Sequence, residues 1–294
     1  MKYRVTHVTE YSYAEQVTQC FNEAHLAPRD APHQHCLSNH LSIDPLPADH
    51  TQREDFFGNR VDYFSIEQPH TRFALTATSE IQLDSDLLES AATNATTWNE
   101  VRDRLHSPDE PALVEQRQFI LDSPLIPAMS ELADYATASF SLGRPLMQAV
   151  HELMERIHQE FRYDPGFTRI STPLSAVLHH RRGVCQDFAH LAIGCLRAMG
   201  LAARYVSGYL ETTPPPGKER VLGADASHAW FSVFLPESGW IDFDPTNNQM
   251  PLQQHITTAW GRDFSDVTPM KGVIFGGGSE HELKVSVDVE RLAS

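Results

Sequence analysis

Along the first eighty residues apolar and polar positions alternate rather than recur at helical spacing. From Lys2 to Tyr13 polar residues interleave with Tyr3, Val5, His7 and Val8, a stretch rich in β-branched and aromatic side chains. Similar strand-like runs follow at Cys20–Leu26, His35–Ile43, Arg60–Glu67 and Arg72–Gln82. They are separated by turn-formers: Pro28 to Pro32, Asp44-Pro45-Leu46-Pro47, and Phe57-Gly58-Asn59-Arg60. Strands in succession with no intervening helix predict an antiparallel sheet or small sandwich over residues 1–84.

The pattern then changes period. Residues 85–144 form a polar connector that turns helical, with segments at Trp98–Leu105, Ala112–Leu121 and Met129–Ser139. Residues 145–294 form a third region. Its first helix, Pro145–Phe161, carries Leu146, Val150, Leu153, Met154, Ile157 and Phe161 on one stripe, with Pro145 suited to the first turn. Thr172-Pro173 opens a short helix through His179. Another begins near Cys185, with Phe188, Leu191, Ala192, Cys195, Leu196 and Met199 on its apolar face and Gly200 at its end. Strands are predicted at Ala203–Glu211, Ser227–Leu235, Trp240–Phe243 and Glu282–Glu290, with a mobile loop at 212–225. The fold class is α+β.

Composition narrows the partners. The chain has 294 residues, 41% of them hydrophobic, enough for sizeable cores without staples. A formal charge of −16 disfavours phosphate backbones and anionic membrane surfaces, so neither nucleic acid nor membrane is expected as a partner. No run approaches the ~20 apolar residues of a spanning helix, and Met1 to Tyr13 lacks the apolar core of a leader, so a cytoplasmic location is expected. Cys20, Cys36, Cys185 and Cys195 show neither metal-like nor framework spacing. Cys20 and Cys36 could pair in an exported protein, but free thiols fit the missing leader better. His33, His35 and His40 cluster loosely, with no accompanying cysteine or glutamate motif, so no metal and no cofactor is expected.

Cys185 has a more specific setting. At a helix N-terminus it faces unpaired amide N–H groups and the positive end of the helix dipole, which favour the nucleophilic thiolate. Taken alone, a cysteine on a helix is more often structural, and mid-helix Cys195 on the apolar stripe has that role. His228 opens an alternating strand and Asp244 ends the next, with the Pro236–Gly239 turn making the pair a hairpin. Such a His-Asp pair facing a thiol at a helix end has the geometry of nucleophilic catalysis. Asp242, two residues before Asp244, points to the same face and competes for the carboxylate role.

The runs R-G-V-C-Q-D-F-A-H-L, R-Y-V-S-G-Y, S-H-A-W-F-S-V-F-L-P and G-W-I-D-F-D-P-T-N resemble, in that order, the core motifs of the transglutaminase-like superfamily. The resemblance spans roughly residues 145–248, and the strand-rich start is similar to the bacterial transglutaminase-like N-terminal region. It implies a papain-like core, helices packed on an antiparallel sheet. It also implies Cys185 as nucleophile, His228 as base and Asp244, the aspartate of D-P-T, as the third member. The Cys185 N–H is a natural oxyanion donor. The second donor stays unassigned, Tyr163 being either a candidate or structural. Asp187 either faces Cys185 or forms an ion pair, with Arg204 as a potential partner. Trp230 and Tyr209 either line the cleft or belong to the core.

The implied chemistry is thiolate attack on an amide of a peptide or protein, giving a thioester. Water as acceptor makes a cysteine protease or amidase; an amine makes a transglutaminase. No calcium loop of EF-hand spacing is present and no further β-sandwich follows the core, a departure from animal-type transglutaminases, and the resemblance to bacterial and archaeal members of the fold implies hydrolysis first. Acyl transfer and a non-catalytic peptide-binding scaffold are the alternatives.

Overall fold

The computed structural model describes residues 1–84, 94–212, 227–251 and 254–292. The N-terminal region is an antiparallel sheet of β1 (Lys2–Ala24), β2 (Gln34–Asp44), β3 (Asp49–Glu54), β4 (Arg60–Ile66) and β5 (His70–Leu83), in the order β2-β5-β1-β4-β3. The two strands expected between Lys2 and Leu26 are one long strand. Its register slips between Ser12 and Val17, where the exposed Ala14-Glu15-Gln16 interrupts the alternation.

Helices follow: α1 (Trp98–His106), α2 (Val114–Arg117), α3 (Ser130–Thr137), α4 (Leu146–Glu160), α5 (Leu174–His180) and α6 (Cys185–Ala198). Thr97 and Glu100 close a capping box at the start of α1. The helix expected over 112–121 is broken into 3-10 turns at Pro111–Leu113 and Gln118–Ile120 around α2. Leu113 and Phe119 are both buried. On a continuous α-helix six residues at ~100° each would set them roughly 120° apart, and tighter turns narrow that angle. In α4 the predicted stripe holds: Leu146, Val150, Leu153, Met154 and Ile157 are fully buried.

The short strands β6 (Arg162–Tyr163) and β7 (Arg182–Gly183) pair in parallel, and α6 packs on a second antiparallel sheet, ordered β10 (Gly239–Phe243), β9 (Ser227–Leu235), β8 (Ala203–Leu210), β11 (His255–Gly261). β11 was not foreseen. The loop expected at 212–225 lies, from residue 213, outside the described residues. The last strands, β12 (Met270–Gly276) and β13 (His281–Leu292), pair with β1. The C-terminal strand expected with residues 145–294 is therefore built into the first sheet, and the chain crosses between its two regions twice.

Two buried side-chain amides join the sheets. Gln34 donates through Nε2 to the Thr257 carbonyl at 2.7 Å and accepts through Oε1 from the Thr257 N–H at 2.8 Å. Asn59 does the same at Trp260, donating to its carbonyl at 2.8 Å and accepting from its N–H at 2.9 Å. Both residues are fully buried. Each amide takes the place of a neighbouring strand, so the edge of β11 is satisfied without one. Tyr3, Val5, Ile81, Leu83, Val287 and Val289 pack with Tyr209 and Ile256 beside this seam.

Asn59→Ala leaves the Trp260 N–H and carbonyl buried without partners, so a loss on the order of 2 kcal/mol or more is expected. Urea unfolding measures it, and an unchanged midpoint would show that the seam is not needed.

Candidate active site

Cys185 is the first residue of α6, entered from Arg182-Gly183, which pairs in parallel with Arg162-Tyr163. Asp187 sets the entry. Its Oδ2 accepts from the Val184 N–H at 2.8 Å and from Thr168 Oγ1 at 2.7 Å. Asp187 therefore caps the helix and is not paired with Arg204. Burial pushes its carboxyl up. Gly183 is required by space: a Cβ there would stand 2.7 Å from the Asp187 side chain.

His228, Trp230 and Ser232 alternate along one face of β9, opposite Asp242 and Asp244 from β10 and its end. His228 Nε2 lies 2.7 Å from Asp244 Oδ2. The other ring nitrogen is left free, and Cys185 lies near enough to the ring to help raise its pKa. Cys185, His228 and Asp244 are thus brought together. Cys185 is half-buried, and Asp244 is wholly so.

Asp244 gathers more donors than the motif suggests. Its Oδ2 also meets His255 Nε2 at 3.0 Å and accepts from Asn247 Nδ2 at 2.7 Å. Its Oδ1 accepts from the Thr246 and Asn247 N–H groups at 2.9 and 3.2 Å. Burial alone would raise the carboxyl, but the bonds from His228 and His255 outweigh it and hold it well below the carboxylate range. Burial would likewise lower His228, yet its bonds to Asp244 and Cys185 carry it up to about 10.

Asp242 does share the face of Asp244, but its oxygens are used elsewhere. Oδ1 accepts from the Ser232 hydroxyl and Oδ2 from Trp230 Nε1 at 3.1 Å. Trp230 is fully buried, its ring 6.0 Å from that of His228 and 5.1 Å from that of His255. Gly208 lies beneath it: a Cβ there would meet the Trp230 ring at 2.6 Å and the Ile256 carbonyl at 2.0 Å. Tyr209 is core and bonds His7 at 3.0 Å. Tyr163 is half-exposed, and burial, then the neighbouring Cys185, push its hydroxyl up. Cys195 is fully buried, which raises its thiol to about 12.

His255 and Asn247 were missed. The run H-I-T-T-A-W has the β-branched content of a strand, the available signal for β11. His228, Asp244 and His255 are also the group of described residues whose donor atoms lie close enough, within 4.8 Å, to hold a metal ion. Both imidazoles already bond the same carboxylate oxygen, so the three satisfy one another without an ion. No helix among the described residues is long and apolar enough to cross a membrane.

Residues 3–82 match the bacterial transglutaminase-like N-terminal region, and residues 134–245 match the transglutaminase-like superfamily. An uncharacterised protein of Mycobacterium tuberculosis is 41% identical over 98% of this chain and 92% of its own. One of Mycobacterium leprae is 33% identical over 99% of both. The protein-glutamine gamma-glutamyltransferase of Pseudomonas aeruginosa is 29% identical over 41% of this chain and 21% of that protein. Among solved structures, a Cytophaga hutchinsonii protein provisionally described as a cysteine protease superposes with a TM-score of 0.77. It is 21% identical and covers all (100%) of this chain and 91% of that one, a likeness of fold.

The His228–Asp244 pair has a defined pH window. The share from Asp244, depressed below its usual 3.8, is present above that value and lost as pH falls beneath it. The share from His228, raised from 6.5, is present below that value and lost as pH rises through about 10. The stability gap between wild type and Asp244→Asn should be widest between these limits and narrow on both sides. Denaturant midpoints across pH measure it, and a gap independent of pH would contradict the pairing.

Proposed function

Since the chain belongs to the transglutaminase-like superfamily, we propose that it is a cysteine-dependent amide-bond hydrolase acting on peptides or proteins. The observation that carries this reading is the alignment of a half-buried thiol at a helix N-terminus with a His-Asp pair. Cys185 Sγ first passes its proton to His228, whose cationic form Asp244 favours, and then attacks the amide carbonyl as a thiolate. The Cys185 N–H, at the open end of α6, faces the developing oxyanion. His228 then delivers its proton to the departing amine, leaving a thioester on Cys185. Water, deprotonated by His228, attacks the thioester and releases the acid. Asp244 keeps the imidazole oriented and stabilises its cationic form through both steps.

Hydrolysis is favoured over transfer because the thiol is partly open to solvent, and an amine must compete with water for the thioester. Transfer is the second reading, carried by the sequence likeness to the Pseudomonas glutamyltransferase. We also propose the cytoplasm as the location, since all four cysteines are free.

Blocked peptides incubated with and without an added primary amine separate these outcomes by mass. Free acid in both cases supports hydrolysis, and amine incorporation supports transfer. Cys185→Ala should lower turnover by at least about a thousandfold, within the range seen when a catalytic nucleophile is removed. Full activity in that variant would sink the proposal. Limiting iodoacetamide should label Cys185 selectively over Cys195. Cys195→Ser should lower stability and leave labelling of Cys185 intact, whereas loss of labelling would reverse the two assignments.

A further inference from the structure

A cavity of about 750 Å3 lies away from Cys185, between the polar face of the second sheet and the N-terminal region. Its wall includes Phe56, Phe57 and Phe119 with Trp240 and Trp260, and Arg204 is exposed to it. The Arg204 guanidinium is stacked between two indoles, 4.3 Å from the Trp240 ring and 3.7 Å from that of Trp260. Arg29 lies on Trp260 too, at 3.1 Å.

Arg204 is 7% exposed, and its one hydrogen bond runs from Nε to Ser232 Oγ at 3.4 Å. Its terminal nitrogens have no hydrogen-bond or ion-pair partner among the described residues. Arg197, buried to a similar depth at 8% exposed, is different. It donates to the Phe119, Ala203 and Arg262 carbonyls and to Ser123 Oγ. The nearby carboxylate of Asp242 is occupied by Ser232 and Trp230. Burial draws Arg204 down to about 9, against the pull of Asp242, so it remains a cation at neutral pH. A buried cation with idle donors is costly unless an anion meets them.

We propose that this cavity is a binding site for a monocarboxylate with an apolar or aromatic body, its carboxylate held by the two terminal nitrogens of Arg204. Planar guanidinium donors match a carboxylate in pairs. The aromatic walls receive the body, and the volume suits a small molecule or a few peptide residues. Asp84, Glu115 and Glu237 around the cavity repel ligands of higher negative charge. The site is independent of the amide chemistry proposed above.

The test is calorimetric titration of the full chain with N-acetylphenylalanine and with its neutral amide. The acid should bind at least about tenfold more tightly, as a charge-assisted pair requires. No binding, equal binding of acid and amide, or sulfate binding as tightly as the acid would overturn the proposal. Cys185→Ala should bind the acid as wild type does. Arg204→Met should lose the preference for acid over amide, and keeping it would also overturn the assignment. Should that variant not fold, the comparison of acid with amide on wild type stands by itself. A blocked tripeptide acid separates the sources: tighter binding supports a peptide C-terminus, equal binding a free small acid.

Discussion

The buried carboxylate of Asp244 is the constraint on which the site depends. It stands at the end of β10 and collects His228 from β9, His255 from β11 and the turn that follows it. A lone buried carboxylate would be costly, and here five hydrogen bonds compensate it. The same bonds fix the orientation of His228 relative to α6. A change in the hairpin, the turn or β11 therefore alters the imidazole that the thiol meets.

That arrangement reaches into the N-terminal region through β11. His255 opens this strand, and Thr257 and Trp260 within it are held by Gln34 and Asn59. The first sheet thus supplies the hydrogen-bonding edge that the second one lacks. β12 and β13 return to β1 and tie the two regions further. The N-terminal region has a structural part in the site.

How much of this could be read from the sequence depended on range. Cys185, His228 and Asp244 were legible because each sits in a local motif whose neighbours shape it. Gly183 makes room for Asp187 within the motif that holds Cys185, and Gly208, in R-Y-V-S-G-Y, makes room for Trp230 of the motif that holds His228. The stripe of α4 was legible from its period. Gln34, Asn59 and His255 were not, because their partners lie far along the chain and leave no periodic trace. For Asp187 the sequence left open contact with Cys185 or an ion pair, with Arg204 as a potential partner, whereas local geometry gives it the helix cap. Arg204 instead found two tryptophans, a pairing that charge counting does not suggest.

The central claim, that Cys185 forms a thioester through His228, is most directly tested by intact mass after brief incubation with a slowly hydrolysed activated ester. The account predicts a single acyl adduct mapping to Cys185, formed far more slowly in His228→Ala. No adduct, or one on Cys36, or one formed equally fast without His228, would contradict it.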